Sequence, residues 1–301
     1  MSRFFYYLIL KPVSLLPFSA LYMLSDFLYL MVYKLVGFRK KVVRKNIRNA
    51  FPEKSKKECL QIEQAFFHHF MDLLLETIKL FSISSKELLA HARVVNPEVF
   101  LPYEKTNIKL VVASGHYGNW ELGAQALSLQ TKLRVMGIYS PLKDKFMDSK
   151  MLESRGQFGM VLVSRKIVDA AFREVTDRSA AYLFATDQAP SNERKAYWTW
   201  FLNQETPVFF GAEKYATTYD CPVFYTRISK PRRGYYEVHF ELMESQSAQT
   251  SPGNITARHT RLLEADIIAR PEFWLWSHRR WKRKRPQDVP IHPPINLSAN
   301  S

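Results

Sequence analysis

From residue 108 onward the chain alternates between two periods, and that alternation constrains its fold more than any other feature. Short β-branched runs bounded by polar residues stand at 108–113 (IKLVVA), 134–139 (RVMGIY), 159–163 (GMVLV), 180–185 (AAYLFA), 222–228 and 235–242. Stretches with helical spacing lie at 119–129, 144–155, 167–176, 208–219 and 254–269, and a short helix is expected at 272–278. A brief apolar run between polar boundaries fits a strand buried on both faces. Strands separated by helices pair in parallel, because a crossover needs that length to return to the same end of a sheet. The pattern therefore predicts α/β: a mixed sheet flanked by helices. Lys230-Pro231-Arg232-Arg233-Gly234 turns the last two strands as a hairpin.

The first fifty residues read differently. Between Lys11 and Lys34 run 22 residues, PVSLLPFSALYMLSDFLYLMVY, with one charge, Asp26. A spanning helix needs ~20 apolar residues. Asp26 at mid-helix costs ~2.5–3.5 kcal/mol on insertion scales, and Pro12 and Pro17 shorten the usable helix. The segment can span, lie in the interface with its apolar face down, or form a buried core helix. Aromatic residues at 4–7, 22, 27, 29 and 33 favour the interface. Lys11 splits the apolar run and no small-residue cleavage site follows, so a signal peptide is not the expectation.

Charge follows at once. Arg39, Lys40, Lys41, Arg44, Lys45 and Arg48 form one cluster; Arg279, Arg280, Lys282, Arg283, Lys284 and Arg285 form another. The clusters hold 12 of the 43 basic residues and no acid, and the remainder of the chain carries 31 basic against 28 acidic residues. The chain is thus a near-neutral globule with two patches suited to polyanions. With 14% aromatic residues it is no disordered polyanion binder. Cys59 and Cys221, far apart and alone, exclude a disulfide framework and any CxxC zinc or redox site. Ser55-Lys56-Lys57-Glu58 is a capping box opening a helix to about Leu80. His68 and His69 on that helix point ~100° apart, which disfavours a shared metal.

No GxGxxG, P-loop, GxSxG or HExxH occurs. The candidate chemistry follows the first strand, in Ser114-Gly115-His116-Tyr117-Gly118-Asn119-Trp120-Glu121. Open α/β sheets bind ligands outside the carboxyl ends of their strands. There the flanking glycines let the loop turn sharply. His116 in the loop and Glu121 in the first helical turn can fold together, the carboxylate fixing the imidazole tautomer and leaving the other nitrogen as general base. The plainer reading has Glu121 complementing the helix dipole.

The block GHYGNWELGA resembles the His-x4-Asp/Glu block of the lysophospholipid acyltransferase superfamily. The surroundings narrow the likeness to the late acyltransferases of lipid A biosynthesis, the lauroyl/myristoyl transferases. They are VVRKNIRNAFPEKS (42–55), Arg165 ahead of a helix, Asp187-Gln188 after a strand, TPVFFG (206–211) and PEFWLWSHRRWKRKRP (271–286). The resemblance runs from about Leu15 to Pro286. It implies a lysophospholipid-acyltransferase-like fold with N-terminal membrane-associated helices. It implies that His116, oriented by Glu121, deprotonates a hydroxyl on a 3-hydroxyacyl chain of a Kdo-bearing lipid A precursor. That oxygen attacks an acyl carrier protein thioester, without metal or resident cofactor. Arg165, Asp187, Arg279 and Arg280 are the implied substrate-binding residues. The implied partners are acyl carrier protein, the lipid A precursor and an anionic inner membrane surface, with the catalytic domain cytoplasmic and no nucleic acid. Departures sit beside Asp187, where Gln188-Ala189-Pro190 leaves Gln188 without an assigned role. Trp198, Trp200, Phe201, Phe209 and Phe210 read first as core and only second as an acyl channel.

Residues 1–50 are thus a membrane-associated helical segment with its basic cluster, 51–290 the catalytic domain and 291–301 a frayed tail. The rival within the class is another lipid acceptor: a lysophospholipid, an ornithine lipid or a mannosylated inositol lipid. Outside it stand a membrane-tethered nucleic-acid binder, distinguishable by steeply salt-dependent binding, and a noncatalytic scaffold, in which substituting His116 changes nothing.

Overall fold

The computed structural model describes residues 1–295. Nine strands are present among them: β1 (Ala92–Val94), β2 (Lys109–Ser114), β3 (Arg134–Tyr139), β4 (Val161–Ser164), β5 (Ala180–Ala185), β6 (Tyr197–Phe201), β7 (Gln204–Val208), β8 (Val223–Arg232) and β9 (Tyr235–Glu244). Seven form one sheet in the order β1-β9-β8-β2-β5-β3-β4. From β8 to β4 every pairing is parallel, whereas β9 runs antiparallel to β8 and carries β1 parallel to itself. The sheet is therefore mixed, as the alternation predicts. Buried runs such as Leu110–Ala113 and Ala180–Tyr182 account for its continuous apolar strands.

The helices are α1 (Ser2–Phe5), α2 (Lys11–Leu15), α3 (Phe18–Tyr29), α4 (Lys40–Ala50), α5 (Lys56–Lys79), α6 (Ser85–His91), α7 (Trp120–Gln130), α8 (Lys145–Gly156), α9 (Val168–Arg173), α10 (Gly211–Thr218) and α11 (Asn254–Ala269). A π-helical stretch, Tyr6–Leu10, joins α1 to α2, and another, Leu30–Val36, extends α3. Helices cover both faces. Tyr225 of β8 bonds Asp266 of α11, whereas Ile228, three residues on, packs toward α7, where a methyl added at Gly123 would meet it at 3.5 Å. The expected capping box is formed, Ser55 Oγ accepting from Glu58 N–H at 3.2 Å and Glu58 accepting from Ser55 N–H at 2.8 Å.

Three elements differ from the sequence expectation. The segment 272–278 is no helix: one 3-10 turn, Pro271–Phe273, is followed by irregular chain. Indole bonds hold it and the chain just beyond it, Trp276 Nε1–H donating to Pro271 O at 2.6 Å and Trp281 Nε1–H to Thr206 Oγ1 at 2.7 Å. The hairpin β6–β7 was not expected. Trp198 and Phe201 of β6 are core residues, while Trp200 faces out. Edge strand β1 is too short to carry a pattern. Of the tail, residues 296–301 lie outside the described residues. His292 is pinned to β6, its N–H donating to Trp198 O at 2.8 Å.

The two basic clusters belong to one region. Asn46 Nδ2 of α4 donates to Trp276 O at 2.9 Å and to His278 O at 3.0 Å, and Arg39 donates to Ser277 O at 2.9 Å. Lys41, Lys45, Arg48, Arg279, Lys282 and Lys284 are exposed and make no salt bridge among the described residues.

Candidate active site

Register builds the site. Ser114 of β2 pairs with Ala185 of the adjacent β5. Two residues beyond each stand His116 and Asp187, on strands ~4.8 Å apart, so their side chains meet at the carboxyl edge of the sheet. Asp187 accepts three hydrogen bonds: from His116 Nδ1 at 2.7 Å, from the His116 backbone N–H at 2.9 Å and from Trp274 Nε1–H at 2.8 Å. Its side chain is 3% exposed and that of His116 19%. Burial alone would raise the Asp187 pKa; the charge and hydrogen bonds of His116 outweigh it and hold the carboxyl well below the usual carboxylate range. For His116 burial acts downward, and the Asp187 charge and hydrogen bond reverse it, so the net shift is upward. With its Nδ1 proton turned to Asp187, the ring carries its lone pair at Nε2. Gln188 Nε2 donates to that atom at 3.1 Å. Trp120 stands edge-on to the ring at 4.9 Å. An imidazole so held can take a proton from a hydroxyl at Nε2 while Asp187 stabilises the cation formed.

The loop is fixed from below and behind. Gly118 has φ 62°, and a Cβ there would meet Ile228 Cγ2 at 2.7 Å. Its N–H donates to Phe273 O at 3.0 Å, and Leu275 N–H donates to His116 O at 3.2 Å. Asn119 caps α7, accepting from Leu122 N–H at 3.0 Å, and its Nδ2 donates to buried Glu76 of α5 at 2.7 Å.

Glu121 does not meet the His116 ring. Arg155, at the end of α8, holds its carboxylate in a fork, Nε to Oε2 at 2.9 Å and Nη2 to Oε1 at 2.5 Å. The ring's Nδ1 is already taken by Asp187, and a bidentate guanidinium is the stronger partner for the remaining carboxylate. Glu121 still raises the His116 pKa through space, and Arg155 opposes it. Arg165 lies exposed past the end of edge strand β4, three strands from β2 or ~14 Å away by strand spacing. It shares the carboxyl edge and touches neither His116 nor Asp187. Arg279 is exposed. Arg280 is not: at 1% exposure its Nη2 donates to Pro207 O at 2.6 Å, while Nε and Nη1 have no partner among the described residues. It lines a small cavity with Thr186, Asp187, His259 and Thr260. Burial pushes its pKa down to about 10, against the Asp187 charge. Arg280, one of the substrate-binding residues that the resemblance implies, is thus enclosed beside Asp187 and does not stand on the surface.

Sequence reasoning missed Arg155, which stands in no distinctive motif. It missed Trp274 as a ligand of Asp187, although its block was singled out. It left Gln188 without a role, although the dipeptide Asp187-Gln188 was noted.

An imidazole at the end of a parallel strand with a buried carboxylate behind it is an arrangement suited to general-base chemistry on a hydroxyl. The chain belongs to the bacterial lipid A biosynthesis acyltransferase family, whose model matches residues 1–283. Among individual proteins it is similar to the lipid A biosynthesis lauroyltransferase of Escherichia coli (strain K12), 24% identical over 298 residues that cover 94% of this chain and 91% of that one. It is also similar to the lipid A biosynthesis palmitoleoyltransferase of the same organism, 22% identical over 290 residues covering 89% and 87%. A lipid A biosynthesis acyltransferase of Shigella flexneri matches with the same figures, 22% identity over 290 residues. The protein is an acyltransferase of lipid A biosynthesis.

Proposed function

We propose that the protein transfers a fatty acyl chain from an acyl carrier protein thioester to a hydroxyl of a 3-hydroxyacyl chain on a Kdo-bearing lipid A precursor. The carrying observation is the His116–Asp187 pair at 2.7 Å, with Nε2 turned to Gln188. His116 Nε2 takes the hydroxyl proton as the oxygen attacks the thioester carbon. The tetrahedral intermediate collapses with cleavage of the C–S bond, and the imidazolium returns its proton to the departing phosphopantetheine thiolate. In this reading the acceptor hydroxyl takes the position of the Gln188 amide at His116 Nε2. Asp187 orients the ring, in preference to Glu121. Glu121 and Arg155 form an ion pair beside it, and Arg155, 24% exposed, offers a fork to a substrate phosphate once released. Arg165 and Arg279 are exposed, and in this reading they meet anionic parts of acceptor or carrier. Asp187, nearly buried, acts through His116. No step of this chemistry calls for a metal or resident cofactor.

We further infer that the protein works at the cytoplasmic face of the inner membrane. Supporting this are the exposed basic region and the apolar N-terminal surface, since anionic headgroups attract each nearby Lys or Arg by ~1 kcal/mol.

The test is acyl transfer in detergent micelles with a panel of acyl carrier protein thioesters, read by mass spectrometry. Kdo-bearing precursor is offered beside lysophospholipid, with wild type and His116→Ala in parallel. A lipid A product heavier by one acyl group, lost in the variant, is expected. Transfer to lysophospholipid alone would replace the acceptor, and equal product from His116→Ala would remove the base.

A further inference from the structure

We propose that the first 38 residues lie along the membrane surface as an in-plane anchor and that none of them crosses the bilayer. The proposal rests on the membrane association inferred above. The helix Phe18–Val36 is the one long and apolar enough to cross among the described residues. At 1.5 Å per residue it measures ~28 Å. It is, however, bonded sideways to the domain along its length.

Tyr22 Oη donates to Glu76 at 2.9 Å, Ser25 Oγ to Asp72 at 2.7 Å, and Tyr33 Oη to Glu63 at 3.0 Å. Asp26 accepts from Arg233 of the β8–β9 turn at 2.7 and 3.1 Å. The three acceptors on α5 are among the most deeply buried carboxylates of the molecule, Glu76 at 0%, Glu63 at 1% and Asp72 at 3% exposure. Lifting the helix into a spanning pose would strip each of them of a partner and carry Asp26 to the bilayer centre without Arg233.

The preceding segment is held likewise. Tyr6, Leu10 and Ser14, four residues apart, are buried. Lys11 Nζ donates to Phe81 O at 2.9 Å and Lys79 Nζ to Leu16 O at 3.1 Å. What both segments leave outward is apolar. Of 25 exposed large hydrophobic residues among the described residues, 14 fall within the first 38 positions. Met23, Phe27 and Leu30 form a stripe opposite the buried Leu21 and Ser25, as helical spacing requires. Exposed Arg3, Lys34, Arg39 and Lys41 stand among them, suited to headgroup phosphates. An apolar stripe with a bonded polar back and a basic border is the architecture of a helix lying ~5–10 Å into the headgroup boundary.

The experiment uses the full chain with phosphatidylethanolamine–phosphatidylglycerol vesicles. Single cysteines at Met23, Phe27, Leu30 and Leu35 carry spin labels. The native Cys59 and Cys221 are both buried, and labelled wild type sets the background. Flotation is measured first, then depth from oxygen against nickel-chelate accessibility. In-plane anchoring predicts equal, shallow depth at all four positions. It also predicts that cysteines at Arg3 and Lys34 both react with an impermeant maleimide added outside. Depth that reaches the bilayer centre near Phe27 and rises again toward Leu35 would overturn the proposal while leaving membrane association intact. Failure to float would instead overturn the membrane reading beneath it.

Discussion

Asp187→Asn should separate the orienting carboxylate from a merely structural one. The change keeps size and shape but removes the charge and places an amide nitrogen against one of three donors: His116 Nδ1–H, the His116 backbone N–H or Trp274 Nε1–H. The arrangement that spares the two donors on Oδ2 turns the amide nitrogen to the ring. Nδ1 then becomes the acceptor, Nε2 carries the proton, and the base is lost. In serine proteases the corresponding change lowers kcat by about 10^4, and a loss of about 10^3–10^4 is expected here. A second signature follows from charge. In the wild type the Asp187 charge reverses the effect of burial and raises the His116 pKa, so the base is neutral, and active, only above that raised value. Without the charge, burial, the largest influence, prevails over the pull of Glu121, which Arg155 offsets, and the pKa falls. The acid limb of kcat/KM should therefore move to lower pH while the plateau falls. The assay is the rate of transfer to the lipid A precursor between pH 5 and 9, with circular dichroism to verify the fold. A loss under tenfold with an unmoved limb would refute the orienting role. Glu121→Gln, which contacts no ring atom, should cost less.

Other expectations follow from the same geometry. Arg155→Gln frees Glu121 beside His116; the His116 pKa should rise and the acid limb shift to higher pH, opposite in sign to Asp187→Asn. Gly118→Ala forces a side chain into a left-handed backbone and against Ile228; it should destabilise by about 1–3 kcal/mol, read as a lowered denaturant midpoint. His259 is buried, with burial pushing its pKa down to about 4. The unfolded chain binds that proton near 6.5 and the folded one does not. Stability is therefore full above pH 6.5 and declines as pH falls toward 4, by up to about 1.4 kcal/mol per pH unit for this histidine. His259→Gln should flatten that part of the thermal-stability profile.

The sheet was legible because buried strands and their crossover helices write different periods into the chain. His116 was legible because a histidine between glycines at a strand's carboxyl end has few structural duties. Its partner was not, because the choice between Glu121 and Asp187 turns on strand order. Glu121 is five residues away in sequence, yet α7 carries it toward Arg155. Asp187 is 71 residues away, yet β5 lies beside β2 and the register sets it opposite His116. The burial of Arg280 was hidden for a related reason. Six basic residues in seven read as a surface run, and only the burial of Trp274, Trp276 and the Pro207 carbonyl beneath shows one of them turned inward. The β6–β7 hairpin escaped because Trp and Phe serve strands and cores alike.

Glu76 draws three elements to one carboxylate: Tyr22 of the N-terminal helix, Tyr236 of β9 and Asn119 of the catalytic loop, at 2.9, 2.8 and 2.7 Å. The N-terminal segment is therefore no interchangeable tether. Exchanging residues 1–36 for an unrelated membrane anchor would restore residence at the bilayer but leave Glu76 short of a donor and the cap of α7 less firmly set. Such a chimera should localise correctly and turn over slowly. In this protein the N-terminal helix and the loop that carries His116 share one buried carboxylate.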